Sequence, residues 1–134
     1  MTKVTRTTTS SCTCGSGVAY ADCCAPFHLG APAPTTEALM RSRFSAYALG
    51  LTPYLLASWH PSTRPAALEL DANLIWRRLQ IVDTAARGVG DREGVVEFRA
   101  SFRDADGAGL LHERSRFTRE GDYWFYVDGD VFPE

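Results

Sequence analysis

The sequence predicts an α+β fold, in which N-terminal helices pack on a curved antiparallel sheet and a small cysteine-rich module precedes them. Three observations support this prediction. All four cysteines lie within residues 12–24, residues 35–59 show helical spacing, and the chain after residue 73 alternates between apolar and polar side chains. Helical patterns followed by strand patterns are typical of α+β proteins. The 134 residues suffice for one compact domain with a small appendage.

The composition indicates a folded chain without a strong electrostatic field. Hydrophobic residues make up 45% and charged residues 22%, which excludes a disordered chain. The formal net charge of -2 provides little general attraction for nucleic acid. No run approaches the roughly 18 to 20 apolar residues of a membrane helix, so we expect no membrane partner. Residues 1–11 are polar and lack the apolar stretch of a secretory signal, which predicts a disordered tail on a cytoplasmic protein.

The cysteines form one cluster with the spacing Cys-x-Cys-x8-Cys-Cys, made of Cys12, Cys14, Cys23 and Cys24. Cysteines of a cytoplasmic protein stay reduced as thiols. Four thiolates within 13 residues can close around one tetrahedral zinc ion and leave no open position for a substrate. The glycines between the second and third cysteines permit a tight turn that directs backbone N–H groups at the sulfurs.

Three other interpretations compete with a site of four cysteines. Disulfides would need an oxidising compartment, and a bridge between the neighbours Cys23 and Cys24 would be strained. A redox or nucleophilic role is disfavoured because the chain has no Cys-x-x-Cys. His28 could replace Cys24 as the fourth ligand, because the chain can fold back over four residues. We therefore expect one structural zinc ion, with His28 as the alternative ligand.

A long helix is predicted after a proline-rich connector. Residues 25–35 contain three prolines, which fix φ and disfavour helix, so we expect a stiff connector there. The helix begins with Thr35 as its cap and ends at Gly50. Its apolar residues repeat at the spacing of one helix face: Met40, Phe44, Tyr47 and Leu51.

Two shorter helices are predicted next. The first runs from Thr52 to Trp59, with Thr52 as cap and Pro53 at the first helical position, and His60-Pro61 ends it. A further short helix is possible around residues 66–70.

Four strands are predicted in the second half of the chain, over residues 73–82, 95–103, 110–119 and 123–127. Ile75, Leu79 and Ile81 share one face of the first. The second strand alternates clearly, with one apolar face made of Val96, Phe98, Ala100 and Phe102. Residues 104–109 form a turn, and short turns between successive strands predict an antiparallel meander.

Several segments resemble known protein families. The segment from Cys12 to Cys24, with its Gly-Ser-Gly and Tyr20, resembles the SEC-C motif, a small zinc module found at the C-terminus of the SecA translocation motor. Residues 26–47, 59–65 and 112–117 are similar to the bacterial YchJ-like family. Thr13 stands where that family often has proline, which makes the turn less rigid and removes no ligand.

The resemblance implies a zinc-binding SEC-C module over residues 12–30 and a cone-shaped domain like nuclear transport factor 2 over residues 31–134. The biochemical function of the YchJ-like family is uncharacterised. In SecA-like proteins the SEC-C module contacts a chaperone and the ribosome, so a partner at this module is an analogy and not a consequence of the residues.

A cone-shaped domain of this kind often encloses a cavity, and strand parity predicts which side chains enter it. On the third strand Glu113 and Ser115 share parity with apolar Leu111 and Phe117, so we expect both to point inward. An inward carboxylate needs a cation or hydrogen-bond donors, and Arg43 could supply them.

Arg77 is the other candidate partner for Glu113. In a functional cavity Glu113 would be a general base or an anchor, with His60 or Trp59 at the mouth. The competing interpretation, which we favour, is a buried Glu–Arg pair that locks helix to sheet.

These observations predict a cytoplasmic zinc-binding adaptor without enzymatic activity, whose module docks a protein or the ribosome, with RNA as a further possible partner. The alternative is an enzyme or small-molecule binder that uses the cavity, with Glu113 or His60 as the catalytic residue. The oligomeric state does not follow from the sequence.

Overall fold

The computed structural model describes residues 11–85 and 92–133, so the tail predicted over residues 1–11 lies outside the described residues except for Ser11. The helices are α1 (Ala25–His28), α2 (Thr36–Leu49) and α3 (Thr52–Ala57), and a 3-10 turn covers Tyr20–Asp22. The strands are β1 (Ile75–Ala85), β2 (Glu93–Asp104), β3 (Gly107–Glu120) and β4 (Tyr123–Phe132). None of the described helices has both the length and the apolarity needed to cross a membrane.

The first part of the proline-rich connector is helical. α1 contains Pro26 in its first turn. A proline is tolerated there because the N–H that it lacks has no partner in the first turn of a helix. The expectation of a connector without helix was therefore wrong for residues 25–28.

The long helix α2 begins and ends where the sequence predicts. The hydroxyl of Thr35 accepts a hydrogen bond of 3.1 Å from the backbone N–H of Ala38. Gly50 ends the helix in the left-handed conformation, with φ of 76°. Leu39, Met40 and Phe44 are buried against the sheet, and Ser42 and Ser45 are also buried on another side of the helix. α2 is therefore covered by more than the sheet.

The segment after α2 differs in detail from the prediction. Thr52 is the first helical residue of α3 and not its cap, and α3 ends at Ala57 instead of Trp59. The following residues run beside β4, where the N–H of His60 donates to the carbonyl of Tyr126 over 2.8 Å. The short helix considered for residues 66–70 does not form.

The four strands form an antiparallel meander in the order β1-β2-β3-β4, as predicted. The inner face of β2 is the one expected from its alternation, with Val96, Phe98 and Ala100 all buried. β3 begins at Gly107, so the predicted turn over residues 104–109 is confined to two residues, and β4 extends to Phe132.

β1 departs from the simple alternation. Its register against β2 shifts between Trp76 and Arg78, which is a β-bulge. Because the bulge adds one residue, the positions before it that would point outward now point inward, and the inward ones point outward. Trp76 and Leu79 therefore both face inward, although they are three residues apart. Ile75, expected on the inner face, is 57% exposed.

Candidate functional site

The four cysteine sulfurs come together at the N-terminal end of the described chain. All four Sγ atoms lie within 4.8 Å of one another, and the residues are Cys12, Cys14, Cys23 and Cys24. The separation is 3.6 Å between Cys14 and Cys23 and 3.9 Å between Cys23 and Cys24. Four sulfurs at about 2.3 Å from a zinc ion form a tetrahedron with edges of about 3.8 Å. The sulfur positions therefore suit a tetrahedral metal ion.

The same distances do not fit disulfide bonds. A disulfide requires an S–S distance of about 2.05 Å, whereas the shorter of these two separations is 3.6 Å. All four cysteines are free thiols. Cys12, Cys14 and Cys24 are buried, which makes them poor candidates for a nucleophile that a substrate must reach.

Each cysteine sulfur affects the protonation of its neighbours. A hydrogen bond from Cys24 lowers the pKa of Cys14 to about 4 in spite of burial. The same hydrogen bond, together with burial, raises the pKa of Cys24, and burial raises the pKa of Cys23. Neighbouring thiolates repel one another, and a divalent cation between them removes that repulsion and favours the thiolate form.

Backbone and hydroxyl groups surround the sulfurs. Gly15 and Gly17 adopt positive φ of 85° and 86°, which permits the tight turn after Cys14. The Ser16 hydroxyl lies 3.1 Å from the sulfur of Cys23, and its backbone N–H donates to Cys14. These donors disperse negative charge on the sulfurs, as the sequence predicts for this turn.

His28, the alternative ligand, lies outside the sulfur cluster. Its Nδ1 is 2.7 Å from the hydroxyl of Tyr20 and its Nε2 is 2.8 Å from the carbonyl oxygen of Ser42. Since Tyr20 belongs to the module and Ser42 to α2, the imidazole connects the two. Both ring nitrogens are thus engaged in bracing the module.

A second connection runs from α2 to the backbone of the cysteine turn. Arg41 donates from Nη1 to the carbonyl oxygen of Cys14 over 3.0 Å. Its Nε donates to Glu37 over 3.0 Å, which fixes the direction of the guanidinium. The Ser45 hydroxyl also interacts with the sulfur of Cys24. The module is therefore docked on α2 by polar contacts from several directions.

The second candidate site is a cavity of about 180 Å³ between α2 and the inner face of the sheet. Its walls are mostly apolar and aromatic, and two charged side chains, Arg43 and Glu113, reach them. The aromatic residues that line it are Phe44, Tyr47, Trp59, Trp76, Phe98 and Tyr126.

Glu113 and Ser115 share this inner face. The Glu113 carboxylate accepts hydrogen bonds from Ser115 Oγ over 2.9 Å and from the Tyr126 hydroxyl over 3.2 Å. It packs directly over Gly129, where a Cβ atom would overlap the carboxylate. The glycine therefore provides the space that the carboxylate occupies.

Arg43 lies at the other side of Tyr126. The guanidinium donates to the carbonyl oxygen of Leu55 over 2.8 Å and to Ser58 Oγ over 2.7 Å. It also lies 4.6 Å from the centre of the Tyr126 ring and 5.1 Å from that of Trp59. The favoured interpretation, a direct Glu113–Arg43 pair, does not match these contacts, because Tyr126 mediates between the two.

Of the remaining residues predicted for the cavity, one lines it and two lie elsewhere. Trp59 lines the cavity, and its buried indole N–H donates to no acceptor within the described residues. His60 lies elsewhere: its Nε2 is 2.7 Å from Glu120 and its Nδ1 is 2.8 Å from Ser62 Oγ. Arg77 is exposed and does not line the cavity, because it belongs to the bulge in β1.

Two residues at the cavity have no signal in the sequence: Tyr126, which lies between Arg43 and Glu113, and Gly129, which lies beneath the Glu113 carboxylate. The pairing of Tyr126 opposite Phe117 depends on a register shift between β3 and β4. That shift follows Arg116 and has no clear sequence signal. Gly129 lies beyond the predicted end of the last strand, so its position opposite Ser115 was not expected.

Two family models match this chain. Residues 9–26 match the SEC-C motif, and residues 35–129 match the middle NTF2-like domain of YchJ. Among curated proteins, a UPF0225 protein of Streptomyces coelicolor is 50% identical over 123 residues, covering 91% of this chain and 96% of that protein. A UPF0225 protein of Chromobacterium violaceum is 51% identical over 128 residues, covering 91% and 93%.

Two solved structures are similar along most of the chain. The solution structure of a SEC-C motif containing protein from Rhodopseudomonas palustris has a TM-score of 0.78 at 32% identity, and the match covers 91% of this chain and 98% of that one. The crystal structure of a SEC-C motif containing protein from Psychrobacter arcticus has a TM-score of 0.75 at 27% identity, with coverage of 95% and 85%.

Proposed function

The chain belongs to the UPF0225 family of YchJ-like proteins, and from this premise we propose that it is a cytoplasmic, zinc-binding adaptor without enzymatic activity. The single observation that carries the proposal is the set of four cysteine sulfurs within 4.8 Å of one another. Such a set fills every position of a tetrahedral zinc ion, so the ion is structural.

The zinc ion would supply stability that the module cannot obtain from packing alone. The regular structure of residues 11–28 consists of a 3-10 turn, one helix of four residues and an isolated bridge between Ser11 and Ala19. So short a segment has too little apolar surface for a core of its own. The free energy of metal binding then becomes free energy of folding.

The module would present a rigid surface to its partner. The ligands Cys12, Cys14 and Cys24 are buried, whereas the turn over residues 15–18 is exposed. Val18 is 45% exposed and Leu29 is 88% exposed, so apolar side chains are available for contact. We propose a protein or ribosomal partner at this surface.

Metal analysis tests the zinc proposal directly. Protein purified without added zinc should contain about one zinc ion per chain. A metal-free protein with a folded module would overturn the proposal.

The docking role is tested by affinity capture with wild type and with Leu29→Asp, which retains all four cysteines. Partners lost on this substitution would support docking at the module, and an unchanged set of partners would contradict it.

A second candidate function uses the cavity under α2 as a small-molecule site. It is favoured by one observation: its walls include the Glu113 carboxylate and the indole N–H of Trp59, which finds no acceptor among residues 11–85 and 92–133. An acceptor and a donor in an aromatic enclosure could orient a small ligand that carries both kinds of group. In this function Glu113 is an anchor or an acid–base residue.

Glu113→Gln separates the two roles of the carboxylate. If Glu113 only connects β3 to Tyr126, the amide weakens that contact and lowers the melting temperature. If Glu113 is maintained for a ligand, the melting temperature is unchanged or rises, as is common when functional polar groups are removed. Ser115→Ala is the matched control, because it removes a donor to Glu113 and keeps the charge.

A further inference from the structure

The outer face of the sheet is divided into two halves with different electrostatics. In the half formed by β3 and β4, the outward-facing Arg114 and Arg116 are paired with carboxylates, which for Arg114 belong to β1 and β2. Arg114 lies 3.1 Å from Glu97 and 3.6 Å from Asp83. Arg116 is 2.6 Å from Asp128 and 2.8 Å from Asp130. The positive charge of this half is compensated within the protein.

The half formed by β1 and β2 has arginines without such partners. Four arginines belong to it: Arg77, Arg78, Arg99 and Arg103. Within residues 11–85 and 92–133, none of them has an ion pair or a hydrogen bond. Arg77, Arg78 and Arg103 are exposed, and Arg99 is half-buried. We call this set the arginine face.

The sheet register places these side chains in two neighbouring rows, one on β1 and one on β2. Arg78 is opposite Ser101, Gln80 is opposite Arg99, and Ile75 is opposite Arg103. Outward positions on one strand recur every two residues, at about 7 Å. The arginines on β2 therefore lie about 13 Å apart, with those of β1 in the next row.

Two surface grooves run along the arginine face and share Arg78 and Ser101. One, of about 430 Å³, extends from Arg77 to the start of β3. The other, of about 520 Å³, includes Arg99 and reaches Gly15 of the cysteine turn. Together they form an open, elongated path from β3 to the module.

We propose that the arginine face binds the phosphodiester backbone of single-stranded RNA. Four arginines that pair with no carboxylate within the described residues repel one another, although the net charge of the chain is -2. Guanidinium groups bind phosphate oxygens in bidentate geometry. Arg99 and Arg103 lie about 13 Å apart, and Arg78 lies across from the residue between them. Cations spread over this distance match an extended chain of phosphates better than one compact anion.

This inference goes beyond the zinc-dependent adaptor role, because none of the four arginines contacts a cysteine. It predicts binding without base specificity, since no contact to base edges is required. Neutralising four phosphates of a single strand gives a slope of about -3 for the logarithm of the binding constant against the logarithm of salt concentration.

The test compares two double variants, each of which removes two positive charges from the chain. Arg78→Gln/Arg99→Gln removes two members of the arginine face, and Arg114→Gln/Arg116→Gln removes two arginines that are paired with carboxylates. Each is measured in the full chain against a fluorescent uridine oligonucleotide of about 12 nucleotides, a length near the site size of a single-strand-binding domain. Fluorescence anisotropy is recorded over a series of salt concentrations.

We expect wild type and the Arg114/Arg116 variant to bind alike. The Arg78/Arg99 variant should bind on the order of tenfold more weakly, with a salt slope reduced by about 1.4. Arg77→Gln/Arg103→Gln gives a second, independent pair and should show the same change.

Three results would overturn the inference: no binding by wild type, equal losses in the two variants, or stronger competition by polyglutamate than by RNA. The last result would assign the face to an acidic protein. Zinc content is measured on the same samples, so failure of RNA binding with one zinc per chain contradicts this inference alone. Loss of zinc with intact RNA binding contradicts only the adaptor proposal.

Discussion

The cysteine module and the sheet domain achieve order by different means. In the sheet domain, large apolar side chains from every strand and from α2 are buried, among them Phe44, Phe98, Phe117 and Trp124. In the module, the fully buried side chains are cysteines. The burial in the domain is therefore supplied by large apolar side chains, whereas the module has little of its own and, under the zinc proposal, would depend on sulfur coordination and on contacts with α2.

The two regions nevertheless share one continuous buried cluster. Cys12, Cys14 and Cys24 belong to the same cluster as Leu39 and Phe44. His28 and Arg41 add polar connections between the module and α2. We expect that the module can unfold while the sheet remains folded, and the following predictions test this expectation.

The largest expected effect is that of Cys12→Ser/Cys14→Ser. If the proposed zinc ion is bound, this variant loses two of its ligands, so the ion should dissociate and a contribution of about 10 kcal/mol or more from metal binding should disappear. NMR spectra should lose dispersion for residues 11–28 and keep it for β2 and β3. Ser16→Ala is the control, because it changes a neighbour of the sulfurs and keeps all four ligands. Full zinc retention in the double variant would contradict the prediction.

The second-largest effect is expected for a substitution in the buried core of the sheet, measured as a loss of stability. Phe117 is 2% exposed, and Phe117→Ala should lower the free energy of unfolding by about 3 to 5 kcal/mol because it leaves a cavity. Zinc content in the folded protein should not change. Leu110→Ala, at a position that is 41% exposed on the outer face, is the control and should cost little. Urea unfolding measures the free energy of unfolding of both variants. Equal losses of stability in Phe117→Ala and Leu110→Ala would contradict this prediction.

A smaller effect is expected where the two regions meet. His28→Ala removes the connection between Tyr20 and Ser42 and should cost about 1 to 3 kcal/mol. Zinc should remain bound, while amide hydrogen exchange in residues 11–28 becomes faster. Loss of zinc from this variant would instead support the alternative in which His28 is a ligand.

The smallest effect is a pH dependence on the outer face. Hydrogen bonds from His112 and Arg114 lower the pKa of Glu97 from its ordinary value of 4.5. A carboxylate whose pKa is lower in the folded state stabilises the fold above its unfolded pKa and loses this effect as pH falls through the folded value. Wild type should therefore exceed Glu97→Gln in stability at pH 7, and the difference should vanish in acid. A difference that grows in acid would be contrary to this expectation.

Local patterns sufficed to predict much of the fold. Thr35 and Gly50 mark the ends of α2 because capping and left-handed backbone depend on single residue types. The alternation in β2 predicted its inner face, and the cysteine spacing predicted the sulfur cluster. Each of these signals lies within a few residues of the structure that it specifies.

The features that were not predicted depend on distant segments. The bulge at Trp76 reverses parity in β1 and is visible only once β2 is paired with it. Tyr126 stands between Arg43 and Glu113 because three elements converge on one cavity. His28 has the residue type of a metal ligand, and only the position of α2 reveals that it braces the module.

Zinc K-edge X-ray absorption, on protein purified without added metal, tests most directly whether the cysteines hold the module together. We predict one zinc ion per chain surrounded by four sulfurs at about 2.3 Å. A first shell that contains nitrogen at about 2.0 Å, or a folded module without zinc, would contradict a site made of the four cysteines.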